Sequence, residues 1–214
     1  MSGKTHFDSR RDAARRLAAA LATYAGRHAL VLAIPRGAVE IGAVIAERLG
    51  GELDVVLVRK LRAPGNPELA VGAVDESGWT YVADFAAEAG ATPAYLEREI
   101  RAQSELLRNR RASYTPSRPP IDPRGRIVIV VDDGIATGAS MIAALHAVRE
   151  KQPARLVCAV PVAAAETLGR LKHDADEVVC LEPPPGFHAV GQFYRDFRQV
   201  EDEEVIRLLA GQQA

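Results

Sequence analysis

Sulfur and aromatic residues are scarce in this chain: two cysteines, two methionines and one tryptophan among 214 residues, with aromatics at 5%. The two cysteines, Cys158 and Cys180, each lie inside an apolar run (RLVCAV and EVVCLE). Two such thiols supply neither a disulfide framework nor a metal-ligand cluster, and both read as buried, reduced side chains. Charge of one sign is also missing. Lys and Arg number 27 against 28 Asp and Glu, the net charge is −1 and the pI about 6.5. No overall basic field therefore exists to recruit nucleic acid or an anionic membrane. No stretch approaches the roughly 20 apolar residues of a membrane span. Met1–Arg10 is polar and no apolar run follows it, so no secretory leader is expected and a cytoplasmic location is predicted.

Local clusters of arginine do occur, at Arg10, Arg11, Arg15 and Arg16 and again at Arg98, Arg101, Arg108, Arg110 and Arg111. Acids are interleaved with them in helix-like stretches, which predicts solvated helix faces rather than an RNA-binding patch. The hydrophobic share of 48% and charged share of 26% are those of a globular protein with a full core. The length suits one domain spanning residues 1–214.

Periodicity predicts a helix over 8–25, a buried strand at 29–34 and a helix over 39–50 that ends at glycine. A second strand follows at 54–60. Residues 61–91 carry Pro64, Gly65, Pro67, Gly72, Gly78 and Gly90, and read as a long loop containing a β-hairpin (LAVGAV, WTYVA). A charged helix over 93–111, a proline-rich connector and a third strand at 126–133 come next. A helix over about 138–151, a strand at 154–162, a short helix over 163–171 and a strand at 176–182 complete the alternation. An irregular aromatic stretch and an acidic-started helix over 201–209 close the chain. Continuous apolar strands alternating with helices predict an α/β fold with a parallel sheet covered on both faces. In such sheets ligands sit beyond the carboxyl ends of the strands. That expectation gathers Pro35-Arg36-Gly37, Arg59-Lys60 and Asp132-Asp133 in one cleft.

The most informative stretch is IVIVVDDGIATGAS, residues 127–140. A strand ends on two aspartates, a turn of small residues follows, and a helix begins near Gly138. The first turn of a helix leaves backbone N–H groups unpaired and partly positive. Small side chains at Gly134, Ala136, Gly138 and Ala139 let a ligand reach that backbone, and Thr137 and Ser140 add hydroxyls, making a pocket for one phosphate. Neither GxxxxGK[ST] nor GxGxxG is present. Two carboxylates beside a phosphate pocket repel a polyphosphate but accept hydrogen bonds from a diol. Ribose 5-phosphate carries both groups.

VIVVDDGIATGAS resembles the phosphoribosyl diphosphate (PRPP) signature of type I phosphoribosyltransferases. Ile34-Pro35-Arg36-Gly37 is similar to that family's pyrophosphate loop, and Arg59-Lys60-Leu61-Arg62-Ala63-Pro64-Gly65 to the start of its mobile catalytic loop, covering about 61–91. The segment at about 183–200 sits where the family carries its hood. The resemblance implies a five-stranded parallel core and PRPP as substrate, with Mg²⁺ arriving through PRPP and no direct protein ligand for it. It further implies a small heterocyclic acceptor such as a nucleobase, and a homodimer. Lys60, Asp132 and Asp133 take the catalytic positions. Arg36, Gly37, Arg59, Gly134, Ala136, Thr137, Gly138, Ala139, Ser140 and Phe187 take the substrate-binding ones. Hypoxanthine–guanine members carry an aspartate where this chain has Ala136, so a 6-oxopurine acceptor is disfavoured. Glu68 is a further candidate in the loop. Phe187, Phe193 and Tyr194 either stack an acceptor ring or close the core beneath the last helix. Besides transfer to a ring nitrogen, two activities fit the same residues: a non-catalytic PRPP-binding regulator, and a hydrolase of a related phosphorylated ribose.

Overall fold

The structure, a computed structural model, describes residues 6–211 apart from the side chain of Glu68, so that candidate lies outside the described residues. Among the described residues, eight strands and six α-helices follow one another in the order α1 (Arg10–Ala20), β1 (Leu30–Ala33), α2 (Ala38–Leu49), β2 (Glu52–Val55), β3 (Val58–Ala63), β4 (Asn66–Asp75), β5 (Thr80–Val82), α3 (Pro93–Tyr114), β6 (Ile127–Val131), α4 (Ala139–Arg149), β7 (Arg155–Val162), α5 (Ala165–Leu171), β8 (Glu177–Glu182) and α6 (Asp202–Ala210). Five strands form a parallel sheet in the order β2-β1-β6-β7-β8. Its central strands are apolar on both faces because helices cover both. Val31, Ala33, Ile129 and Val131 pack with α1 and α2, while Leu32, Val130 and Cys158 pack with α4. Among the described residues no helix is long and apolar enough to cross a membrane.

The predicted second strand divides. Its apolar half stays in the parallel sheet as β2, but Val58–Ala63 leaves it and pairs antiparallel with β4, which pairs in turn with β5. The cause is an ionic knot at the end of β2. The Asp54 carboxylate, 1% exposed, accepts from Arg111 (2.7 Å), Arg118 (3.1 Å) and the Ile121 N–H (2.9 Å). Arg111 also donates to the Val55 carbonyl at 2.8 Å and to Glu76 at 2.6 Å, tying β2, β4 and α3 together. Burial alone would raise the Asp54 pKa, but Arg111, Arg118 and two backbone N–H groups hold it below the ordinary range. Arg111, expected on a solvated face, is therefore a buried structural residue. Past Leu57 the exposure of RKLRA alternates, as in a strand with one wet face. The predicted hairpin forms β4 and β5, and Asp75 closes its turn by accepting from the N–H groups of Ser77 and Trp79.

Both thiols are free, Cys158 buried and Cys180 half-buried. Burial pushes the Cys158 pKa up to about 12 and that of Cys180 to about 11. Since the thiolate is the nucleophile, neither cysteine should react with iodoacetamide at neutral pH in the folded protein, and both should react in urea. Mass spectrometry of the alkylated chain checks this; modification of folded protein would contradict the packing.

Candidate functional site

β1 leads to β2 on one side of the sheet, and β6 lies on the other, so the strand order reverses between β1 and β6. Ligands collect beyond the carboxyl ends of strands at such a point. Pro35-Arg36-Gly37 follows β1 and Asp132-Asp133 follows β6, so these two of the three predicted segments meet there.

Asp132, Gly134, Ala136, Thr137, Gly138, Ala139 and Ser140 line one cleft, together with Val190 of the C-terminal segment. Gly138 adopts a left-handed conformation (φ 79°), and a Cβ there would lie 2.6 Å from Thr167. Among the described residues no side chain caps the first turn of α4. Its N–H groups therefore face the cleft with their partial positive charge uncompensated. Two bonds hold the turn open from behind: Thr167 donates to the Ala136 carbonyl at 2.7 Å and Arg170 to that of Thr137 at 3.2 Å. Gly134 is required for closure from above, since a Cβ there would meet Val190 at 2.5 Å.

The two aspartates differ in their surroundings. Asp132 accepts the Asp133 N–H at 2.8 Å and has no ion-pair partner among the described residues. Burial, with the Asp133 charge beside it, pushes its carboxyl well above the usual range. Asp133 is raised by burial and pulled back by Arg10, whose Nε donates to its Oδ2 at 2.8 Å. Arg10 is itself 6% exposed, donates to the Arg198 carbonyl at 2.7 Å and lies 3.9 Å above the Phe197 ring. It belongs to the first arginine cluster, expected to be solvated; instead it is buried in the site. Neither spacing nor composition marks it out, because its partner is 123 residues away.

Gly37 lies against this pair. A Cβ at position 37 would sit 2.1 Å from Asp133 Oδ2 and 3.0 Å from Arg10 Nε. Gly37→Ala should consequently cost about 1–3 kcal/mol of stability, as overpacking does. Chemical denaturation checks this, and an unchanged midpoint would show that the carboxylate relaxes freely. Arg36 precedes it through a cis peptide bond to Pro35, and its guanidinium is 3.5 Å from Glu201 at the start of α6.

The remaining predicted residues lie elsewhere. Lys60 and Arg59 sit within β3 instead of at the end of a parallel strand. Arg59 is half-buried beside Arg110 and Arg62. Lys60 lines a second cleft that shares only Ala139 with the first. Both belong to the antiparallel sheet because β3 pairs with β4 instead of extending β2. Of the hood aromatics, Phe193 and Tyr194 are buried against Phe7, Ala13 and Val162. Phe187 packs on Phe193 at 5.1 Å and does not line the aspartate cleft. Tyr194 donates to the Asp133 carbonyl at 2.6 Å, so it supports the pair from behind. The segment expected to be a hood packs against the N-terminal residues, a contact local pattern does not show: the His6 and Phe7 N–H groups donate to the Phe193 carbonyl, and the Arg195 N–H donates to the Phe7 carbonyl.

Comparison with known proteins identifies relatives of the whole fold. The crystal structure of TT1426 from Thermus thermophilus superposes with a TM-score of 0.88 at 49% identity, covering 98% of this chain and 100% of that one. Proteins from two strains of Mycobacterium tuberculosis, each named "Putative phosphoribosyl transferase", are 41% identical over 204 residues. That match takes in 95% of this chain, which spans about half the length (46%) of those relatives. The phosphoribosyl transferase domain model matches residues 7–198, reaching from the segment packed on Phe193, through the β1 loop and the DDGIATGAS turn, to Arg198 beside Arg10; the chain belongs to the phosphoribosyl transferase domain family.

Proposed function

We propose that this domain binds PRPP with Mg²⁺ and transfers its ribose 5-phosphate to a ring nitrogen of a small heterocyclic acceptor of the nucleobase class, with release of pyrophosphate. The observation that carries the reading is the joining of an uncapped helix N-terminus to the Asp132 carboxylate in one cleft, with Asp133 next to it in the chain and tied to Arg10. The α4 turn takes the 5-phosphate through backbone N–H groups, with Thr137 and Ser140 adding hydroxyls. Asp132 and Asp133 accept hydrogen bonds from the ribose diol. Asp132 is a hard oxygen donor with no cationic partner among the described residues, which fits Mg²⁺ arriving on the substrate's oxygens. When bound, the ion would help neutralise the leaving pyrophosphate.

The bond from ribose C1 to the pyrophosphate oxygen breaks as the bond from the ring nitrogen to C1 forms. Positive charge grows on the sugar ring and negative charge on the leaving group. The carboxylate pair favours the former, and Arg36, held by a long contact to Glu201, can turn to meet the latter. Placement of the two reactants accounts for much of the rate.

The test has two steps. Calorimetry with ribose 5-phosphate, and with PRPP in the presence of Mg²⁺, should show saturable binding. Pyrophosphate release across a panel of nucleobases should then identify an acceptor. A folded protein that binds neither sugar phosphate would sink the reading.

A further inference from the structure

The other flank of α4 borders a second cleft, walled opposite by the three-stranded sheet β3-β4-β5. Its lining includes the small residues Gly72, Ala73 and Ala143, which leave room for a ligand near the backbone of both walls. Its rim carries Trp79, Tyr81, Phe85, His146 and Lys60. His146 is fixed by Asp174, 2.7 Å from its Nε2, and meets Trp79 and Tyr81 edge to face at 6.2 and 6.1 Å. Tyr81 and Phe85 remain 48% and 44% exposed. Lys60 is exposed and pairs with no acid among the described residues. Aromatic surface left wet beside an unpaired cation is unusual in a folded domain. Soluble proteins cover such surface unless something binds there, and concave sites with apolar walls and one fixed charge are the common form of small-molecule sites.

We propose that this cleft binds a small planar aromatic anion, with the ring against Tyr81, Phe85 and the lining alanines and the anionic group on the Lys60 ammonium. The small residues and aromatic rings of the lining select a planar ring, since stacked and edge-to-face contacts add to the area buried. Lys60, the unpaired charge at the rim, selects a negative substituent. Within 183–200, Phe193 and Tyr194 are buried against the N-terminal segment, and the Phe197 ring is already covered on one face by Arg10. The cleft meets the aspartate site only at Ala139, so binding here does not depend on the transfer reaction.

Trp79 is the chain's single tryptophan, so indole fluorescence reads this cleft alone. The experiment titrates the full chain with benzoate, with benzamide as the neutral ring and with cyclohexanecarboxylate as the non-planar acid. Benzoate should change Trp79 emission saturably, at a half-saturation about twofold to fivefold lower than benzamide, the scale of one exposed ion pair, and lower also than cyclohexanecarboxylate, which lacks the planar ring. Lys60→Met should erase the preference for benzoate over benzamide, and Phe85→Ala should weaken both rings. Asp132→Asn should leave the benzoate titration unchanged. The proposal is overturned by the absence of saturation with benzoate, by equal responses to all three probes, or by loss of the response in Asp132→Asn. It is also overturned if emission follows protein concentration in step with sedimentation, since the cleft would then be an interface between two copies of the chain.

Discussion

Asp132→Asn is expected to lower PRPP turnover about 10²-fold, the scale of removing one electrostatic contact to a transition state, while leaving the folded protein at least as stable at neutral pH. The two halves of this expectation share one cause. Asp132 is half-buried beside a second carboxylate, and its desolvation together with the Asp133 charge raises its pKa well above the ordinary value. A raised carboxyl pKa means that the folded state keeps a proton the unfolded chain has released. Stability therefore falls as pH climbs from the ordinary carboxylate range to the raised folded value. Asparagine keeps the shape, and its side-chain oxygen can still accept the Asp133 N–H, but it has no charge to desolvate. Its stability advantage should be absent below the ordinary carboxylate range and fully present above the raised value. Each kcal/mol would appear as about 2–4 °C in Tm for a chain of this size. Thermal unfolding of both proteins at several pH values, beside a pyrophosphate-release assay, makes the comparison. A less stable variant at neutral pH, or one that keeps its rate, would remove Asp132 from the reading of the site.

Arg10→Met should cost about 3 kcal/mol of folding stability, at the low end of the range for breaking a buried ion pair. The pair is well enclosed, with side chains 7% and 16% exposed, so water cannot replace the lost partner. Removing the guanidinium strands the Asp133 carboxylate against Gly37. It also releases the Arg198 carbonyl and the Phe197 ring, which fasten the hood to α1. Arg10→Met combined with Asp133→Asn should recover much of the loss, because no unpaired charge is then left in place. Urea denaturation of the parent, both single variants and the double variant gives the coupling directly. If Arg10→Met unfolds within about 0.5 kcal/mol of the parent, the range of an ordinary surface substitution, the contact is solvent-screened and Arg10 is not what positions Asp133.

The parallel core and the small-residue turn after β6 were legible in the chain because the information that makes them is local. Apolar runs such as LVLA and IVIVV suit strands buried on both faces. DDGIATGAS specifies its own turn through a left-handed glycine and small side chains, whatever packs around it. Leu49 before Gly50 likewise ends α2 where a left-handed residue was expected. What stayed hidden depends on partners distant in sequence. Arg10 looks like any residue of a basic helix until Asp133, 123 positions on, is brought against it. Arg111 is solvated by pattern and buried in fact, because Asp54 and Glu76 converge on it. The run DVVLVRK reads as one strand, yet that same knot ends β2 at Val55 and sends Lys60 into a different sheet and a different cleft. Phe193 and Tyr194 could face a ligand or the core, and the N-terminal segment decides by lying across them. Local pattern thus determined which segments become strands, helices and the left-handed turn after β6; tertiary structure alone decided which charges lose their water, since desolvation and ion pairing depend on what the rest of the chain brings within a few ångströms.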